Sequence, residues 1–210
     1  HPRHRRSAGP ALSSVDAMAD WLLALLDAAG VQRAALAGHS MGSLIALEAA
    51  ARAPERATQL LMLGTAYPMV VSQALLDTSK AEPLKAIDMV VAYSHSTLAA
   101  KPSYPGPGVW LQGGSRALMR QVLAGQGDAM LFHTDFSACN DYRGGEAAAQ
   151  RVQCPAHLIL GRADQMTPPR AAQPLATALS AQVHHVTAGH TLMAEAPDAV
   201  LNALRLALKV

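Results

Sequence analysis

The segment Leu36-Ala37-Gly38-His39-Ser40-Met41-Gly42 constrains this chain more than any other. It holds Gly-x-Ser-x-Gly, with an apolar run before it and an Ala/Leu-rich run after it. That setting predicts a strand, a very tight turn and a helix. Such a turn strains the backbone at the serine, so its neighbours must be small. Gly38 and Gly42 are expected to remove side chains that would collide where the strand folds back over the helix. Ser40 Oγ is then lifted out of the fold, at the positive end of the helix opening at Met41.

The rest of the chain predicts strands alternating with helices. Ser13 and Asp16 read as a capping box. The helix after them presents Val15, Met18, Leu22, Leu25, Leu26 and Ala29 on one face, and Gly30 closes it. Arg33 to Ala37 is a short strand, Met41 to Ala53 a helix stopped by Pro54, and Leu60 to Leu63 a buried strand. From Val152 the alternation resumes. Ala156 to Leu160 is a strand, Pro168 to Ser180 a helix, Gln182 to Thr187 a strand and Pro197 to Leu208 a closing helix. This order predicts an α/β fold, a mostly parallel sheet with flanking helices.

Between these parts the texture changes. Residues 66–150 carry helical stretches around Ser72–Lys80, Pro83–Ser94, Ser115–Leu123 and Asp128–Cys139, with breaker-rich Lys101–Gly108 among them. This reads as a helical insertion over the sheet edge that carries the loops. The expected division is therefore 1–65 and 151–210 for the two parts of the core, with 66–150 as the insertion. Met69, Met89, Met119 and Met130 serve either as core or as the lining of an adaptable apolar pocket.

Composition excludes several function classes. The 210 residues are 50% hydrophobic and 15% charged, enough for one sizeable core. The formal charge of +2 comes from Arg3, Arg5 and Arg6; without them 14 basic residues face 15 acidic ones. No basic face for nucleic acid is expected beyond that short arm. Cys139 and Cys154 form no disulfide framework, and no metal spacing is present. No apolar run has the length of a membrane span, and no leader pattern is visible. A cytoplasmic location is the default expectation.

Three residues follow three separate strands: Ser40, Asp164 and His190. In parallel sheets, ligands bind beyond the carboxyl ends of the strands, where such loops converge. A serine hydroxyl is a weak nucleophile until a base takes its proton. A histidine does this near neutral pH, and a buried carboxylate fixes its tautomer and stabilises its charged form. Other readings compete. Asp164 also suits a turn or helix cap, and His184 and His185 are rival bases inside a predicted strand. His39 suits packing within the turn. His95 and His133, in the insertion, and His39 beside the serine are candidates for substrate contact.

With these residues in place, the chain resembles the α/β-hydrolase superfamily, in particular bacterial members with a helical cap. The resemblance rests on Gly38-His39-Ser40-Met41-Gly42, on Leu160-Gly161-Arg162-Ala163-Asp164, and on Gly189-His190 with Glu195-Ala196-Pro197. It implies Ser40 as nucleophile, Asp164 as acid, His190 as base and the Met41 N–H as an oxyanion-hole donor. It implies residues 66–150 as the cap, a small acyl substrate such as a carboxylic ester, and no cofactor or metal. The serine argues against the haloalkane dehalogenase branch, which uses aspartate.

The resemblance also has gaps. Only 37 residues precede Gly38, where relatives place several strands and a loop, often His-Gly, that gives a second oxyanion donor. Relatives commonly carry Pro-Gly-His-Gly-x-Ser before the helix. Here Pro2, His4 and Ser7 keep the spacing, but Arg3 and Arg5 replace the glycines, and arginine adopts positive φ poorly. These gaps imply an N-terminally incomplete hydrolase domain. They raise the alternative of a weakly active or non-catalytic protein, one able to self-associate through an open sheet edge.

Overall fold

A computed structural model describes residues 2–4, 7–96, 109–125 and 128–209. The breaker-rich 101–108, Arg5 and Arg6 lie outside the described residues. Four strands, β1 (Ala34–His39), β2 (Ala57–Leu63), β3 (Ala156–Gly161) and β4 (Gln182–Val186), form one sheet in that order, every neighbouring pair parallel. Among the described residues β1 is therefore a terminal strand, with Ala35 and Ala37 exposed.

Strand side chains alternate between the two faces, and both faces are covered. Leu36, Leu60, Met62, Leu158 and Leu160 enter the larger core with α1 (Val15–Ala28) and α2 (Met41–Arg52). Leu61, Leu63, Ile159 and Val186 point the other way, into a core with Val200, Ala203 and Ala207. Those three belong to the closing helix, Pro197–Leu208. Both sets are aliphatic, which is why β2 and β3 read as nearly unbroken apolar runs.

α1 starts one residue later than the capping pattern suggests. Ser14, in extended conformation, is the N-cap, and its Oγ accepts from Ala17 N at 3.1 Å. Gly30 ends the helix at φ +67°. Leu25 and Ala29, expected on the buried face, are exposed. α2 is nearly all buried, from Ser43 through Ala51.

Between β2 and β3 lie α3 (Gln73–Ala81), α4 (Pro83–Ser94), α5 (Leu111–Ala124), α6 (Leu131–Asp141) and α7 (Gly145–Ala149). α7 was not expected from the sequence. Ile87, Val91 and Phe132 form a small core of their own here, with Met119, Val122, Leu123 and Phe136 packed against it. After β3 the expected long helix is divided, a 3-10 turn at Pro169–Ala172 and then α8 (Gln173–Ala178). α9 (Leu192–Glu195) and α10 (Pro197–Leu208) follow β4. Among the described residues no helix is long and apolar enough to cross a membrane.

Candidate active site

The turn between β1 and α2 has the strain its sequence implies. Ser40 sits at φ 53°, ψ −123°, a region costly for any residue with a side chain. The conformation is held by its neighbours. Ser40 N donates to Leu63 O at 2.9 Å. Ser43, fully buried, donates from Oγ to Ser40 O at 2.5 Å and also pairs with Thr65 Oγ1 at 2.8 Å. Gly38 is obligatory, because a Cβ there would lie 1.9 Å from Gly42 O. Gly42 itself is different from expectation: a Cβ there would meet nothing within 4 Å. The collision is between a side chain at 38 and the backbone at 42, so only the first glycine relieves it.

At the same edge of the sheet, beyond β3 and β4, Asp164 and His190 are joined. His190 Nδ1 donates to Asp164 Oδ2 at 2.9 Å, and both residues are buried. The other carboxylate oxygen, Oδ1, accepts from Met166 N at 2.9 Å and Thr167 N at 2.8 Å. Asp164 thus serves as turn cap and as histidine partner at once, one oxygen for each. Burial alone would raise its pKa, but the bonds from His190 and Thr167 outweigh that and hold the carboxyl below its usual value. Thr167 Oγ1 lies within hydrogen-bond distance of Gly64 O, Asp164 Oδ2 and His190 Nδ1, tying the loops after β2, β3 and β4 together. Thr167 was not among the residues expected at the site. The signal was the Asp164-x-x-Thr167 spacing, in which an aspartate caps the amides two and three residues on.

The rival bases are placed elsewhere. His184 stacks on His157, with Nε2 3.3 Å from His157 Nδ1, and His185 is exposed. His39 packs against the base: its ring lies 4.6 Å from that of His190, and its Nε2 donates to His190 O at 2.8 Å. Burial, with the neighbouring His190, lowers the His39 pKa to about 4.

The loop carrying His190 is clamped from the opposite side. Buried Glu195 accepts from Gly189 N at 2.9 Å, Thr191 Oγ1 at 3.2 Å, Ser96 N at 3.0 Å and, through a very short bond, Ser96 Oγ. Thr191 N donates to Ser94 O at 2.9 Å. The end of α4 is thereby fastened to the base loop.

A cavity of about 560 Å³ opens beside Ser40. Ser40, Met41, Met69, Met89, Met119 and Phe132 are among its lining residues, with Asp135 and Cys139 also on the wall. Three of the four methionines singled out from sequence line it; Met130 is exposed instead. His39, His95 and His133, proposed from sequence for substrate contact, do not line this cavity. His95 donates from Nδ1 to Val91 O, and His133 Nδ1 pairs with Leu76 O and Ser79 Oγ. Burial, then Asp135, pushes the Cys139 thiol up to about 12. Among the described residues no group of three or more His, Cys, Asp or Glu could hold a metal ion.

The N-terminal residues differ from expectation. Arg3 does adopt positive φ, 69°, in a turn closed by Arg3 N to Ser7 O at 3.0 Å and Ser7 N to His4 O at 3.1 Å. His4 Nε2 lies 2.9 Å from Asp135 Oδ2 on the cavity wall.

Known proteins share this fold. A sequence profile of the alpha/beta hydrolase family matches residues 2–203. The enol-lactonase from Burkholderia xenovorans LB400 is similar at 22% identity, with a TM-score of 0.81, 99% of this chain and 78% of that one aligned. An esterase from Exiguobacterium antarcticum has a TM-score of 0.82 at 15% identity, over 100% and 80% of the two chains. Est816, an N-acyl homoserine lactone degrading enzyme, has a TM-score of 0.78 at 21% identity, over 98% and 79%. The match over nearly the whole length, on a parallel sheet with a strained serine turn, makes this chain a member of the alpha/beta hydrolase family.

Proposed function

We propose that this protein is a serine hydrolase acting through an acyl-enzyme on a small, largely apolar carboxylic ester or lactone. The observation that carries this reading is the position of Ser40. It is strained at the head of α2, lines a Met-rich cavity, and stands at the sheet edge where His190 and Asp164 are hydrogen-bonded. The neighbours that act on esters and lactones support the substrate class.

In this reading, Asp164 holds Nδ1–H of His190, which leaves Nε2 as the base. Ser40 Oγ attacks the acyl carbon while Nε2 takes its proton. The Met41 N–H, at the positive end of α2, stabilises the oxyanion. The C–O bond to the alcohol breaks, and the alcohol leaves with the proton held by His190. Water then attacks the acyl-serine, giving its proton to Nε2, and the acid departs as Ser40 recovers its own. The helical segment 66–150 acts as a cap that shapes the acyl pocket.

A fluorophosphonate probe tests this reading. Stoichiometric labelling of Ser40, lost in Ser40→Ala, together with hydrolysis of p-nitrophenyl butyrate, is expected. No labelling and no turnover by folded protein would instead support the non-catalytic reading.

A further inference from the structure

Asp135 is a charged residue on an otherwise apolar cavity wall, and its bonding is incomplete. It projects from α6 among Leu75, Met89, Met119 and Phe132, and its side chain is only 10% exposed. Oδ2 is used: His4 Nε2 lies 2.9 Å away. Oδ1 is buried and has no hydrogen-bond partner among the described residues. A buried carboxylate oxygen left bare is costly, so such a group either holds a ligand or a water, or destabilises the fold.

The charge of Asp135 is already matched. His4 Nδ1 lies 3.0 Å from Pro2 O, and Nε2 faces the carboxylate. Both ring nitrogens therefore face acceptors, and both carry protons. The hydrogen bond to Asp135 raises the His4 pKa, in the same sense. The wall thus presents a neutral ion pair with one spare acceptor. An ammonium group entering the cavity would bring an uncompensated charge among methionines and phenylalanines. A carboxylate would meet an oxygen of like charge. A hydroxyl brings neither penalty and supplies the missing donor.

We infer that Asp135 Oδ1 selects acyl substrates carrying a hydroxyl group, on an otherwise apolar chain, by accepting that hydroxyl's hydrogen bond inside the cavity beside Ser40. This rests on the reading of that cavity as the acyl site.

Binding to the Ser40→Ala protein tests it without turnover. Methyl hexanoate and its five monohydroxy isomers, hydroxyl at carbons 2 to 6, are titrated by calorimetry. At least one isomer is expected to bind about tenfold more tightly than the parent, the worth of one hydrogen bond to a charged acceptor. In Ser40→Ala/Asp135→Ala that preference should fall to about onefold. In Ser40→Ala/Asp135→Asn, which keeps an acceptor oxygen without the charge, it should fall only partly; this second variant decides the matter if the alanine protein does not fold. The inference is overturned if no isomer binds more tightly than the parent, the result expected if only a water satisfies Oδ1. It is equally overturned if the preference survives in both variants. Parent ester that binds while isomers gain nothing removes this inference alone. Parent ester that does not bind removes the acyl-site reading as well.

Discussion

His39 Nε2 donates a 2.8 Å hydrogen bond to the main-chain oxygen of His190, so the residue before the proposed nucleophile holds the backbone of the proposed base. Two loops separated by most of the chain are locked together by one imidazole, and the lock requires Nε2 to carry its proton. Burial favours the neutral ring, with its pKa lowered to about 4. A histidine with a lowered folded value contributes stability above about pH 6.5, lost as pH falls toward 4. The unfolding free energy should therefore decline in this window by up to about 1.4 kcal/mol per pH unit from this group. Chemical denaturation of wild type and His39→Asn across pH 7 to 4 checks this. Asparagine can donate to the same oxygen without titrating, so the difference between the two curves should change with that slope. A constant difference would show that His39 does not titrate this way.

The two glycines of the turn should behave oppositely. Gly38→Ala forces a Cβ into the Gly42 carbonyl and should cost several kcal/mol or abolish folding. Gly42→Ala meets open space at the first turn of α2 and should be neutral, or stabilising by up to about 1 kcal/mol. Thermal melts of both variants decide it, and equal losses would refute the distinction.

Asp164→Asn should separate the two tasks of that carboxylate. An amide placed with its oxygen toward Met166 N and Thr167 N keeps the turn, but presents an N–H2 to His190 Nδ1 and reverses the tautomer. Ester turnover should drop by about 10⁴-fold with little change in melting temperature. A large fall in stability with proportionate loss of activity would show that the residue is mainly structural.

Arg3→Gly should relieve backbone strain. Arg3 occupies φ 69°, where a Cβ is penalised by about 1 kcal/mol, and its ion pair with Asp128 is 3.5 Å long and partly exposed. A rise in unfolding free energy of up to about 1 kcal/mol is expected from urea denaturation. A fall would mean that the ion pair outweighs the strain.

Much of this arrangement was readable from local pattern. Gly38 and Ser40 are written in five residues, because a strand-turn-helix elbow is a local object. Asp164 and His190 were found because each follows an apolar strand, and parallel sheets collect such positions at one edge. What escaped depends on partners far away in sequence. His4 meets Asp135 across 131 positions, and Ser96 meets Glu195 across 99. Neither pairing leaves a local trace. The helix face was misread at Leu25 because periodicity shows which residues share a side, not how wide the covering neighbour is. The histidines expected at the substrate were drawn by type alone, and His133 spends its nitrogen on α3 instead.

The junction of Ser94 and Ser96 with Thr191 and Glu195 has a mechanical consequence. These bonds cross from the wall segment that bounds the cavity to the loop that carries the proposed base. The two cannot move independently unless buried carboxylate bonds break first. Widening the cavity from the α4 end therefore drags His190 with it. In the proposed reaction, a substrate too bulky for the space would therefore disturb the alignment of the base before reaching the serine.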